Sequence, residues 1–289
     1  SRACQRKAWK KQHKEICKLL NVGHGDMQVR TEDLMSRHME MKEEFERSEG
    51  YFDWDDKRFF KLFQESTFEG SQAAAQKMKE YAKRQTKQNQ KFLFFYSLHF
   101  LVRSDNKNLS WPNSPFLVML EFVDPNVLSG DELMETPLHH LADQSDPSDY
   151  FTHKNQLILA NQLIEHGANV NAVSIRQRVT PLHNACFTGV VTNLDFVELL
   201  LEAGADPNAQ DHVGEIPLMC TAPDAPGAAK YLLNWPTTNA NITNRSGASF
   251  LAVVRSTIIA FSENVALPDN PDRVQGEFLL QQWREIEEM

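Results

Sequence analysis

Cysteine is scarce, at four in 289 residues, and four cannot form a dense disulfide framework in a chain this long. A signal-peptide pattern is also missing, which points to a reducing compartment and an expected cytoplasmic or nuclear location. Long apolar runs are lacking too. The richest, Phe92 to Val102, covers eleven residues and includes Ser97 and His99, well short of the roughly 20 a membrane helix needs. The chain therefore reads as soluble, with no membrane partner. Basic charge is in deficit, 30 Lys and Arg against 39 Asp and Glu for a net −9, and this argues against bulk attraction to nucleic acid. What is present is 41% apolar residues. That is enough for a substantial core, in one large domain or about two ordinary ones.

Charge is unevenly spread. Ser1 to Leu20 holds seven basic residues against Glu15 alone, a net +6, so the remaining 269 residues sum to −15. The first twenty residues thus form a distinct module, followed by a linker at Asn21 to Asp26 with helix-breaking Gly23 and Gly25. From Thr31 the pattern is helical, with Thr31 as a cap and Glu32 and Asp33 in the first turn. Phe59, Phe60, Leu62 and Phe63 suggest a second helix. A third, from Ser71 to about Arg84, sets Ala74, Met78, Tyr81 and Ala82 on one face, and Phe92 to Val102 supplies a fourth. Gly23 to Asn113 carries no chemical motif and reads as helical packing.

The second half repeats itself. Thr136-Pro137-Leu138-His139 recurs as Thr180-Pro181-Leu182-His183, as Ile216-Pro217-Leu218-Met219, and more weakly as Ser249-Phe250-Leu251-Ala252, with starts 44, 36 and 33 residues apart. A second landmark keeps step: Gly167-Ala168-Asn169-Val170-Asn171, then Gly204-Ala205-Asp206-Pro207-Asn208, then Asn239-Ala240-Asn241. Asp124-Pro125-Asn126 precedes Thr136 in the same way. Two landmarks in register specify an array of like units.

These residues resemble the ankyrin repeat, with its TPLH-x-A start, apolar segment and GAD-x-N turn. The clearest unit runs from Gln177 to Ala209, where Val197, Leu199, Leu200 and Leu201 are the apolar segment. Pro181 fits a first helical turn that needs no backbone donor, Thr180 can cap it, and Gly204 suits a left-handed stop. Departures are an insertion from Asp143 to Phe151, Met134 and Arg178 at usual turn-glycine positions, Ile216 for Thr, and Pro236 near an expected Gly. Val274, Phe278, Leu279 and Trp283 recur at helical spacing in a closing segment that could seal the open end.

The resemblance implies a concave surface of turn tips and inner helices that binds another protein. The tips would be Arg176 to Arg178, Asp211 to Val213 and Asn244 to Ser246, with Arg176, Arg178, Asp211, His212 and Arg245 as contact candidates. His139 and His183 could pass for catalytic histidines, but at the end of TPLH an imidazole is expected to bond within its own turn. Cys186 and Cys220 fall at small buried positions and read as packing.

One constellation has metal-ligand character: Cys4-Gln5, Trp9, His13-Lys14 and Cys17. A helix sets His13 and Cys17, at i and i+4, on one face, with Trp9 on the same side. The pattern resembles the last part of a MYND-type zinc finger, a module similar to others that bind proline-containing peptides; Trp9 is the contact candidate there. The resemblance implies two cross-braced zinc ions. Cys4 would belong to one, and His13 with Cys17 to the other, the remaining ligands lying before Ser1. The chain, which begins without Met, is therefore expected to hold zinc weakly while a longer form binds two ions.

The expected organisation is a partial MYND-type finger at 1–17, a helical linker or capping region at 18–113, about four ankyrin repeats at 114–262 and a capping helix at 263–289. The fold class is all-α: an ankyrin-repeat helical solenoid after a helical region and the last helix of the finger. The implied function is a non-enzymatic protein-interaction scaffold. The alternatives are a MYND-containing SET-type lysine methyltransferase, which would need a cofactor-binding region that Gly23 to Asp131 does not show, and a chromatin or DNA adaptor, which net acidity opposes.

Overall fold

The computed structural model describes residues 61–63, 65–66, 71–102, 114–129, 134–143, 150–187, 194–221, 225–265 and 273–289. They form helices joined by turns, with an isolated antiparallel bridge between Thr243 and Ser249. The chain divides into two compact units, Ser1–Asp124 and Pro125–Met289.

The first unit contains α1 (Gln72–Lys83), α2 (Lys87–Val102) and α3 (Pro115–Leu120). Ser71 caps α1 by accepting the Ala74 amide at 3.2 Å, and the helix buries Ala74, Ala75, Met78, Tyr81 and Ala82. The face expected from spacing is thus the one that packs. Helix α2 buries Phe92, Leu93, Phe94, Phe95, Tyr96, Leu98, Leu101 and Val102. Its second half is held by burial worth about 1.5–3 kcal/mol per large side chain. Phe94 stacks on Phe116 of α3 at 5.3 Å.

The second unit is a row of helix pairs. Its inner helices are α4 (Pro137–Asp143), α6 (Pro181–Phe187), α8 (Pro217–Cys220) and α10 (Phe250–Val265). Its outer helices are α5 (Tyr150–Glu165), α7 (Leu194–Glu202), α9 (Pro226–Leu233) and α11 (Arg273–Glu288). Each inner helix packs on its own outer partner and on the inner helix of the next pair, and the outer helices pack serially in the same way. Among the described residues, five helices begin at proline: α3, α4, α6, α8 and α9. There the missing N–H is one the first turn would leave unpaired anyway. Helices α5 and α7 stop at Gly167 (φ 91) and Gly204 (φ 90). At α7 the Gly204 amide reaches the Leu201 carbonyl at 3.0 Å and the Ala205 amide reaches Leu200 at 2.9 Å. This closes the end as a left-handed glycine permits.

The third pair ends differently. Asn234 keeps a right-handed conformation and Trp235 donates to Leu232 at 3.0 Å, ahead of Pro236. Helix α11 is the outer partner of α10. It buries Leu279, Leu280, Trp283 and Ile286, and Trp283 sits 6.5 Å from the Phe250 ring. Phe278, expected on that face, is instead 61% exposed. It is one residue out of register with the contact stripe that α9 and α10 select. The insertion expected after Asp143 lies between α4 and α5, and its residues 144–149 fall outside the described ones.

Candidate protein-interaction surface

The connections between pairs carry two sets of bonds that fix the surface. The first is a ladder of asparagines along the base of the stack. Asn126 donates to the Gly167 carbonyl at 3.1 Å and accepts the Asn169 amide at 2.7 Å. Asn171 does the same to Gly204 and Asp206 at 3.0 and 2.7 Å, and Asn208 to Thr237 and Asn239 at 2.8 and 2.7 Å. Each side chain thereby clamps the turn of the following unit. The landmark asparagines keep step in sequence because they perform the same bond at each junction.

The second set is at the tetrapeptides. The Thr136 amide donates to His139 Nδ1 at 3.3 Å, so Nδ1 is the acceptor and Nε2 carries the proton, which it gives to the Val179 carbonyl at 3.0 Å. His183 repeats this, taking the Thr180 amide at 3.1 Å and donating to the Glu215 carbonyl at 3.1 Å. The threonine hydroxyls also bond Nδ1, at 2.7 and 2.8 Å. Each imidazole closes its own turn, as expected, and also ties its unit to the next. Burial lowers the His139 pKa to about 4, against the raising effect of the Val179 bond, and burial lowers that of His183 in the same direction. Both rings are neutral structural bolts.

Cys186, buried, and Cys220, half-buried, are free thiols. Burial pushes the Cys186 thiol far up, and burial with nearby Glu215 and Asp211 pushes Cys220 up to about 12. Neither is a thiolate nucleophile at neutral pH. Among the described residues no group of three or more His, Cys, Asp or Glu could hold a metal ion, and no helix is long and apolar enough to cross a membrane. Cys4, Trp9, His13 and Cys17 lie outside the described residues.

The tips are short closed turns. Ser129 pairs with Glu135, Ser174 with Val179, Asp211 with Glu215 and Asn244 with Ala248 through main-chain bonds of 2.7 to 3.0 Å. The expected non-glycine departures are real strain points, since Met134 has φ 52 and Arg178 φ 55. Gly214 (φ 84) replaces them in the third tip, where an added Cβ would lie 2.9 Å from the Arg245 nitrogen. Main-chain bonds then join the tips: His212 donates to Gln177 at 2.8 Å and Arg245 to Val213 at 2.9 Å. These bonds bring Arg176, Arg178, His212 and Arg245, all exposed, to one edge. Asp211 behaves otherwise. It is 8% exposed, its carboxylate accepts the Val213 and Glu215 amides at 2.9 and 2.8 Å, and Oδ2 lies 3.7 Å from His212 Nδ1, so it closes its own turn. Exposed apolar side chains, Ile175 and Val213, share the edge. Val213 falls in a tip expected from the sequence, whereas Ile175, which neighbours Arg176, had not been singled out.

Residues 98–211 and 150–246, together more than half of the chain, match the family model described as ankyrin repeats (3 copies). The chain belongs to the ankyrin-repeat family. The ankyrin match starts inside α2 and takes in α3, ahead of the first TPLH. The chain is similar to the ankyrin repeat and LEM domain-containing protein 1 homolog of Caenorhabditis elegans, 40% identical over 77 residues, which are 27% of this chain and 9% of that protein. It is similar to ankyrin repeat and SOCS box protein 16 of Mus musculus, 44% identical over 61 residues, 21% of this chain and 13% of that protein. It is also similar to the 2-5A-dependent ribonuclease of Mus musculus, 41% identical over 66 residues, 23% of this chain and 9% of that enzyme. The ankyrin segment of this chain thus spans 9 to 13% of the length of these relatives.

Proposed function

We propose that this ankyrin-repeat protein is a non-enzymatic adaptor that grips a partner protein along its turn tips and inner helices. The observation that carries this reading is the division of labour in the stack. The histidines of the tetrapeptides, His139 and His183, are bonded between units and the thiols of Cys186 and Cys220 are held neutral by burial, while exposed cationic and apolar side chains gather on the tips. The ribonuclease match covers 9% of that enzyme and supports only the shared repeat. The experiment is affinity capture with the full chain beside its R176E/R178E variant. Loss of specific partners from the variant supports the reading, and an unchanged set of captured proteins rejects the tips as the contact surface.

The amino-terminal segment adds a second proposed module. Cys4, His13 and Cys17, with Trp9 in the same pattern, supply part of a MYND-type zinc finger for zinc and proline-containing peptides. One donor for one ion and two for the other complete neither four-coordinate site. The 289-residue chain should accordingly retain less than stoichiometric zinc after dialysis, measured by atomic emission. Full retention would refute this assignment.

A further inference from the structure

The last pair of the second unit has one side that its neighbours leave open. Inner helices α6 and α8 are each packed between two other inner helices, whereas α10, among the described residues, meets α8 on one side and its outer partner α11. On the sides so covered, Phe250, Val254 and Thr257 are buried. The opposite half of the helix carries two adjacent rows at i, i+4 and i+8, exposed throughout: Leu251, Arg255 and Ile259 in one, Ala252, Ser256 and Ala260 in the other. Leu251 is 39% and Ile259 60% exposed. The first row borders α11, since Arg255 Nε donates to Glu287 Oε1 at 2.9 Å. Polar groups on this side are bonded within the pair. The Ser256 hydroxyl donates to the Ala252 carbonyl at 3.1 Å and Arg255 has its carboxylate, so neither bond has to break when the face is covered.

We propose that this face binds a second copy of the chain, giving a weak twofold dimer through α10. The face carries both halves of a fit: a ridge with Leu251 and Ile259 at its ends and, beside it, the shallow row of Ala252, Ser256 and Ala260. Rows spaced at i and i+4 are those by which packed helices interdigitate, and under a twofold the ridge of each copy enters the shallow row of the other. A second copy brings the matching ridge and row with it. Area sets the strength. Helices α10 and α11 have 16 residues each, about 24 Å at 1.5 Å per residue, and lie side by side about 8–10 Å apart, so a pair of such faces covers about 900 Å². That is the size of transient pairs, below about 1,200 Å². The net −9 on each copy opposes association, so salt strengthens it by screening the repulsion. This pairing is independent of the adaptor reading.

The test is sedimentation velocity of the full chain from about 1 to about 300 μM, the span in which an interface of this size is half-formed. The mass should rise from one chain to two with concentration, and at lower concentration as salt goes from about 0.05 to about 0.5 M. I259E puts a charge on the ridge, and S256W fills the shallow row without one; each should raise the dissociation constant about tenfold or more. F278E, changed at an equally exposed site on α11 outside both rows, should dimerise like the wild type. Each variant replaces an exposed residue, and its melting curve checks that it folds. The proposal is overturned by a single-chain mass at every concentration, which would leave the face to a different occupant, or by wild-type association of I259E or S256W. Loss of the dimer in F278E, or its dissociation on adding salt, the mark of a charge-paired interface, would overturn it equally.

Discussion

Replacing His139 by glutamine separates the bolt role of the TPLH histidine from simple volume filling. In the unfolded chain a histidine titrates near 6.5, whereas buried His139 titrates at about 4. Between those values the unfolded chain binds the proton and the folded one does not. The stabilisation is therefore complete above the unfolded pKa and is lost as pH falls toward the folded pKa. From pH 7 to pH 5 this one ring removes about 2 kcal/mol of stability, and His183 adds a loss of the same sign. Glutamine in H139Q can donate to the Val179 carbonyl and accept from Thr136, yet it does not titrate. H139Q should cost about 1 kcal/mol at pH 7 for an imperfect bond. Its loss between pH 7 and pH 5 should then be smaller than the wild type's by about 2 kcal/mol. Urea unfolding followed by circular dichroism at the two pH values measures both numbers, and carboxylate titration cancels in the comparison. Equal losses in the two proteins would refute the assignment of a neutral, proton-excluding imidazole at this junction.

Removing one rung of the asparagine ladder, N208A, breaks the bonds to Thr237 and Asn239 and should cost about 1–2 kcal/mol in urea titration; a wild-type midpoint would show the ladder to be idle. G214A should cost about 2 kcal/mol or more, because the left-handed backbone and the Arg245 nitrogen both oppose a Cβ, while G204A, with nothing within 4 Å, should cost about 1 kcal/mol. A larger loss for G204A would contradict the tip packing. W283A should lose about 3–5 kcal/mol and F278S less than about 0.5 kcal/mol, as thermal melts would report. Reversal of that order would mean the face assigned to α11 is wrong.

The strained tips show how far local rules reach. Met134 and Arg178 occupy positions where the repeat usually has glycine, and both adopt the left-handed backbone regardless. The turn is closed by Ser129 and Ser174 bonds that a single awkward residue does not outweigh. Proline starts and glycine stops were likewise legible beforehand. Each depends on backbone chemistry within a few residues of itself. The tip candidates were legible as a group of exposed charges, but the role of Asp211 was not: an aspartate in a tip is equally suited to meeting a partner or to accepting its own turn's amides.

By itself the sequence determined the repeating unit, its helix starts and stops, and hence an all-α array, because these follow from spacing and local conformational preference. Only the tertiary structure decided that Asn126, Asn171 and Asn208 are rungs, that His139 and His183 reach the next unit, and that Trp283 rather than Phe278 faces inward. It also set Arg176, Arg178 and Arg245 along one edge. Those facts depend on partners some 30 to 40 residues away in the chain for the bonded groups. No local propensity encodes which side of a helix its neighbours will cover, or which turn lies against which.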